Sequence, residues 1–201
     1  MSPLPRSFFD RDPTRVAKDL LGTLLIHDSD EGLTSGWIVE TEAYLHKVDP
    51  ASHSYRRRTP RVEVMFGPPG HAYVYAIHSR WCFNIVTQPP DIASAVLIRA
   101  LEPAEGISLM EERRGKDSLL ELCRGPAKLC EALGIDRSFN GIDLTAGETL
   151  WVSKDNAKVI HKRQIVCSPR IGVTSAHEME LRYFVEGSRF VSANRKRRLS
   201  D

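Results

Sequence analysis

Between Trp37 and Leu45 the chain reads Trp-Ile-Val-Glu-Thr-Glu-Ala-Tyr-Leu. Strand alternation puts Trp37, Val39, Thr41, Ala43 and Leu45 on one face, and Ile38, Glu40, Glu42 and Tyr44 on the other. A central strand over residues 34–45 is therefore expected to carry two carboxylates and an aromatic ring beside an apolar core. Upstream, Asp12 can cap a helix whose first position is Pro13; its apolar stripe is Val16, Leu20 and Leu21, and it stops at Gly22. A strand over 23–27 and a polar turn over 28–32 lead into the central strand. After the turn-rich entry 65–70 the alternation returns as a hairpin, with arms 72–77 and 81–87 and a tip of His78, Ser79 and Arg80. Tyr73, Tyr75 and Ile77 share one face of the first arm. A strand over 95–101 follows, then helices over about 104–114 and 118–133, the second broken at Gly125-Pro126. Short strands are expected at 149–152, 165–167 and 181–185. The pattern reads as one mixed α+β domain over 1–193, with a basic tail, 194–201, expected to be disordered.

Composition narrows this picture. The 201 residues, 41% of them hydrophobic, suffice for one sizeable core, since a chain of this length buries roughly 70% of its unfolded surface. The net charge is only +2, so charge alone does not announce nucleic acid. Its distribution says more: Arg56, Arg57, Arg58 and Arg61 cluster just after His53, a grouping that fits either a phosphate footprint or a solvated loop. The four cysteines form no C-x-x-C pair, which argues against a zinc ribbon and leaves no need for a disulfide framework. At His177-Glu178 the second histidine of a helical zinc site is missing, because position 181 is leucine. No metal or cofactor is expected. With no apolar run of signal-peptide or membrane-spanning length, the expected setting is a reduced cytoplasm.

Three features carry candidate chemistry. The pattern is lost between His46 and Val64, and a loop this long in a compact domain is often functional. Arg99 sits inside an apolar strand and needs a carboxylate, phosphate or water partner; a structural ion pair and a functional role both satisfy that need. Gly125-Pro126 followed by Lys128 reads as an anion seat or as a joint between helices. A carboxylate on a buried strand, aromatic rings on neighbouring strands and a basic rim together suit an extruded nucleobase. Core packing is the plainer reading of Tyr44, Tyr73 and Tyr75.

At this point the motifs resemble a known family. Ile38–Tyr44 (I-V-E-T-E-A-Y), Asp49–His53 (D-P-A-S-H), Met65–Tyr75 (M-F-G-P-P-G-H-A-Y-V-Y), Trp81–Asn84 (W-C-F-N), Leu97–Pro103 (L-I-R-A-L-E-P) and Pro169–Gly172 (P-R-I-G) are similar, in series, to alkyladenine (3-methyladenine) DNA glycosylases. The resemblance implies a single α+β domain with a curved antiparallel sheet, flanking helices and a protruding hairpin that enters the minor groove. It implies Glu42 as the base that activates water and Arg99 beside that water. Tyr44, His53 and Tyr75 would stack on the flipped base, and Asn84 would crowd the exocyclic amino group of guanine. Glu40 is given no role. The implied partner is double-stranded DNA with damaged purines (3-methyladenine, 7-methylguanine, hypoxanthine, ethenoadenine), met by a monomer. The pocket motifs contain no lysine, so no Schiff base and no strand cleavage are expected. Arg57 and Arg58 would meet phosphates. One departure stands out: the hairpin is one residue short and lacks the wedge tyrosine, leaving Ile77 or His78 in its slot and Arg80 next in line. A lesion-specific DNA-binding module with little or no turnover is the competing reading.

Overall fold

In the computed structural model, residues 1–192 are described; the expected disordered tail, 194–201, lies outside them. A single helical turn, α1 (Arg6–Phe9), precedes α2 (Pro13–Asp19). Asp12 caps α2 as its position suggests, accepting from the backbone N–H of Thr14 at 2.8 Å and of Arg15 at 3.4 Å. Strands β1 (Leu24–Ser29), β2 (Gly32–Tyr44), β3 (Ala72–Ile77), β4 (Arg80–Thr87) and β5 (Ser94–Glu105) follow, then α3 (Ile107–Arg114), α4 (Leu119–Leu122) and α5 (Pro126–Leu133). The described chain closes with β6 (Leu150–Ser153), β7 (Ile165–Ser168) and β8 (Arg182–Val185). The strands form one curled antiparallel sheet in the order β3-β4-β5-β2-β1-β6. β5 runs along one edge of β2, while β1 and then β8 share the other, pairing with residues 32–37 and 40–42.

Helices and the apolar sheet face make the main core, where Phe9, Val16 and Leu20 meet Ile38, Ile85, Ile98, Met110 and Leu133. Thr41 ties the layers together by donating its hydroxyl to the Ala17 carbonyl at 2.9 Å. A smaller cluster of Val62, Met65, Tyr73, Val86, Ala93 and Ala95 lies where the long loop folds against β3–β5. The candidate site sits on that cluster.

Three expectations need correction. Ile38 does not share a face with Glu40 and Glu42; it joins Ala43 in the main core, whereas Trp37 packs with Leu24, Ile26 and Trp151. The cause is a pair of bulges. The pairing Ile38↔Leu101 and Glu40↔Ala100 leaves Val39 over, and the next step, Thr41↔Ile98, skips Arg99 on the opposite strand. Each extra residue resets which face the following side chains take. Second, the stretch from 104 is not yet helical. β5 continues to Glu105, and Gly106 turns the chain with φ +71°, where a Cβ would lie 2.2 Å from the Leu33 carbonyl oxygen. Third, Arg80 belongs to β4, not to the tip. The turn is only His78 (φ 46°) and Ser79 (φ 62°), with Ile77 paired to Arg80, the two-residue form that matches strand twist. At the helix joint, Lys128 donates to Glu121 at 2.6 Å, and its charge is met within the fold.

Candidate active site

The bulges deliver Glu40, Glu42 and Tyr44 to the face opposite the helices and aim Arg99 at them. Glu42 is fully buried. Its Oε1 accepts the Ile171 backbone N–H at 2.8 Å; its Oε2 accepts the Tyr44 hydroxyl at 2.9 Å and lies 3.2 Å from Arg99 Nη1. A carboxylate offers about four lone-pair sites, so Oε1 keeps room for one further donor. Desolvation, then the Glu42 charge, push the Tyr44 phenol well above its ordinary pKa, so it stays protonated and donates. Burial alone would lower the Arg99 pKa, but the carboxylates of Glu42 and Glu40 override it and hold the guanidinium above its usual value.

Next to Tyr44 lies a small slot lined by Tyr44, His53, Tyr73, Tyr75 and Asn84. Tyr44 is held from behind: the Arg170 guanidinium lies 4.5 Å from its ring centroid and donates to the Ala43 carbonyl at 3.0 Å. Arg170 also forms a bidentate pair with Asp49, at 2.6 and 2.7 Å, both side chains being fully buried. Across the slot Tyr73 and Tyr75 are 5.3 Å apart, and the His53 ring meets Tyr75 edge-on at 4.6 Å. Asn84 is anchored by donation from Nδ2 to the Tyr73 carbonyl at 3.0 Å.

His53 opens one side to the cleft and packs its other side on the tyrosines, with Nδ1 3.0 Å from the Tyr73 hydroxyl. Desolvation on the packed side, then the nearby Arg61 charge, push its pKa below 6.5, so the ring is neutral at pH 7. A depressed histidine pKa contributes stability that is full above pH 6.5 and is lost as pH falls through the folded value. The His53 ring protons should therefore titrate below pH 6.5 by NMR, and Arg61→Ala should move the midpoint up. A midpoint unmoved in that variant would remove Arg61 from this role.

Through Tyr44, Ala51, His53 and Tyr75 the slot adjoins a larger cleft whose walls include Ile77, Cys82, Leu97, Arg99, Arg56 and residues 171–174. Tyr44, His53, Tyr75 and Asn84 thus line the slot and Arg99 the cleft, and Glu42 joins them from behind through Tyr44 and Arg99. Of the hairpin residues, Ile77 lines the cleft and is 47% exposed. Arg80 lines a separate groove with Ser79, Trp81 and α5, and His78 sits in the turn beyond. Arg57 is exposed and makes no ion pair among the described residues. Arg58 is committed to Glu63 at 2.5 Å and Asp91 at 2.9 Å and stacks on Phe66. The sequence reading missed what holds the site: Asp49, Arg170, the Ile171 N–H, and the Glu40–Arg182–Ser192 cluster behind Arg99. Both D-P-A-S-H and P-R-I-G were visible as motifs, but nothing in their spacing joins positions 121 apart.

The model of one family, methylpurine-DNA glycosylase, matches residues 7–189. The chain belongs to the methylpurine-DNA glycosylase family. That membership makes it a DNA glycosylase by class. Similar proteins, each named "Putative 3-methyladenine DNA glycosylase", include one from Methanoculleus marisnigri, 50% identical over 190 residues, which cover 94% of this chain and 98% of that one. Another, from Carboxydothermus hydrogenoformans, is 47% identical over 190 residues, with the same coverage. A third, from Desulfitobacterium hafniense, is 43% identical over 205 residues, 96% of this chain and 99% of its own. The family match spans every strand and helix that positions the slot. Among the described residues no helix is long and apolar enough to cross a membrane.

Proposed function

We propose that this glycosylase flips a damaged purine out of duplex DNA into the slot between Tyr44 and the His53/Tyr75 wall, and releases it by attack of water. Substrates are 3-methyladenine and other alkylated or deaminated purines, including 7-methylguanine, hypoxanthine and ethenoadenine. The observation that carries the reading is a buried carboxylate, Glu42, tied directly to Tyr44 on the wall of an aromatic slot and to Arg99 on the wall of the cleft. Water bound at Oε1 of Glu42 gives its proton to that carboxylate as its oxygen bonds to C1′ of the sugar. The electron pair of the N-glycosidic bond leaves with the base. Positive charge on the sugar in the transition state faces the Glu42 carboxylate. A purine alkylated on N3 or N7 already carries charge and leaves as a neutral base; its cation stacks favourably on electron-rich rings.

Ile77, on the cleft wall, is the residue best placed to fill the gap left in the duplex. Ile77→Ala should lower the extruded fraction of ethenoadenine, read by its fluorescence, while His78→Ala leaves it unchanged; the reverse order would move the wedge to His78. Arg56 on the cleft rim and unpaired Arg57 suit phosphate contacts, and losing each should reduce the log–log salt slope of binding by roughly 0.9. Arg58→Ala should change it less, because its guanidinium already serves Glu63 and Asp91.

The test is incubation with duplexes carrying each lesion, followed by detection of free base before and after alkali. Free base with an intact backbone until alkali is expected. Borohydride trapping of a protein–DNA adduct would contradict water as nucleophile. Tight lesion binding without release would make the protein a binding module.

A further inference from the structure

Behind Arg99 lies a buried cluster that touches neither slot nor cleft. Glu40 is fully buried and its carboxylate accepts four hydrogen bonds. Its Oε1 takes Arg182 Nε at 2.6 Å, the Ser192 hydroxyl at 2.8 Å and Arg99 Nε at 3.1 Å, while its Oε2 takes the Ser192 N–H at 2.6 Å. Arg99 Nη2 also reaches the Ser192 hydroxyl, at 3.4 Å. β8, which carries Arg182, pairs with β2 at Glu40–Glu42. Formal charges close on themselves here, with Glu40 and Glu42 against Arg99 and Arg182. Desolvation on this scale is costly, and an apolar cluster would have packed as well, so the polar cluster calls for a use.

We propose that Glu40 is a positioning residue for base excision. It holds one edge of the Arg99 guanidinium so that only Nη1 is left for Glu42. A guanidinium released from Glu40 would turn its fork to Glu42 and form the bidentate pair that arginine and carboxylate prefer. That pair occupies the free site on Glu42 Oε1 and displaces the water. Glu40 acts through Arg99, touching no reacting atom, and the inference rests on the reading of Glu42 as the group that takes the proton from water.

Single-turnover excision at saturating enzyme, on a hypoxanthine duplex, tests it, since that rate constant does not depend on how much of a preparation is folded. Glu40→Gln should lower the constant at least tenfold with lesion-DNA Kd within threefold of wild type. Glu40→Asp, which keeps the charge on a shorter arm, should fall between the two. A purely structural role would lower the active fraction and leave the constant alone. A loss below tenfold in Glu40→Gln overturns the proposal. If neither Glu40 variant folds, Ser192→Ala carries the test, because it removes the hydroxyl shared by Glu40 and Arg99 while keeping the backbone donor. There a loss of at least threefold at unchanged Kd supports positioning, and an unchanged constant overturns it. Glu42→Gln on the same duplex separates the two readings. A dead Glu42→Gln beside a wild-type Glu40→Gln sinks only the positioning role, whereas an active Glu42→Gln beside a dead Glu40→Gln makes Glu40 the base and sinks both.

Discussion

Glu42→Gln is expected to slow base release by about 10²–10⁴-fold, the usual contribution of a general base. The amide is nearly the same shape but cannot take a proton. It also meets its neighbours badly. The Glu42 carboxylate is surrounded by donors only, from Ile171, Tyr44 and Arg99. One of these must therefore face the amide NH₂ group, donor against donor. Tyr44 loses a charged partner for its hydroxyl but keeps the Arg170 guanidinium against its ring, so affinity for lesion DNA should stay within about tenfold, or about 1.4 kcal/mol. Release near the wild-type rate in single-turnover assays would remove Glu42 from the chemistry.

A second large effect is expected in stability. Asp49→Asn leaves the Arg170 guanidinium buried with no counter-charge, and breaking a buried pair from one side costs about 3–5 kcal/mol. In a chain of this size each kcal/mol moves Tm by about 2–4 °C, so the variant should melt roughly 6–20 °C lower by the same two relations. Adding Arg170→Met should recover part of the loss, since the orphaned charge goes with it. Lesion affinity should not recover, because Tyr44 then lacks the plane that backs its ring. Calorimetric or denaturant melts decide this; a loss under about 1 kcal/mol would mean that water or a neighbouring acceptor reaches Arg170.

Much of the fold was legible because its strands alternate cleanly. The hairpin arms, α2 with its Asp12 cap, and the order of elements emerge from short-range pattern. Glu42 and Tyr44 were placed on one face by alternation alone, and the resemblance gave the rest of the slot. The faces upstream of Glu40 came out wrong because alternation assumes an unbroken ladder. A bulge at Val39 or Arg99 is set by which residue of the partner strand takes the hydrogen bonds, and the strand's own sequence does not display it. Asp49–Arg170 and Glu40–Ser192 were hidden for a related reason. Each joins a loop to a strand or another loop far along the chain, where no periodicity links the partners.

The Ser192 contacts also set an order in time. Glu40 is synthesised 152 residues ahead of the serine that completes its shell, a gap of about 8–30 s at typical elongation rates of roughly 5–20 residues per second. From the synthesis of Arg99 to that of Arg182 the nascent chain holds Glu40, Glu42 and Arg99 without Arg182 or Ser192, and the β2 edge at residues 40–42 waits for β8. The guanidinium can then settle on either carboxylate. Ribosome-bound chains arrested before residue 192 should accordingly excise more slowly than the released protein even where the slot has formed, and full activity should arrive only when that residue has cleared the ribosome.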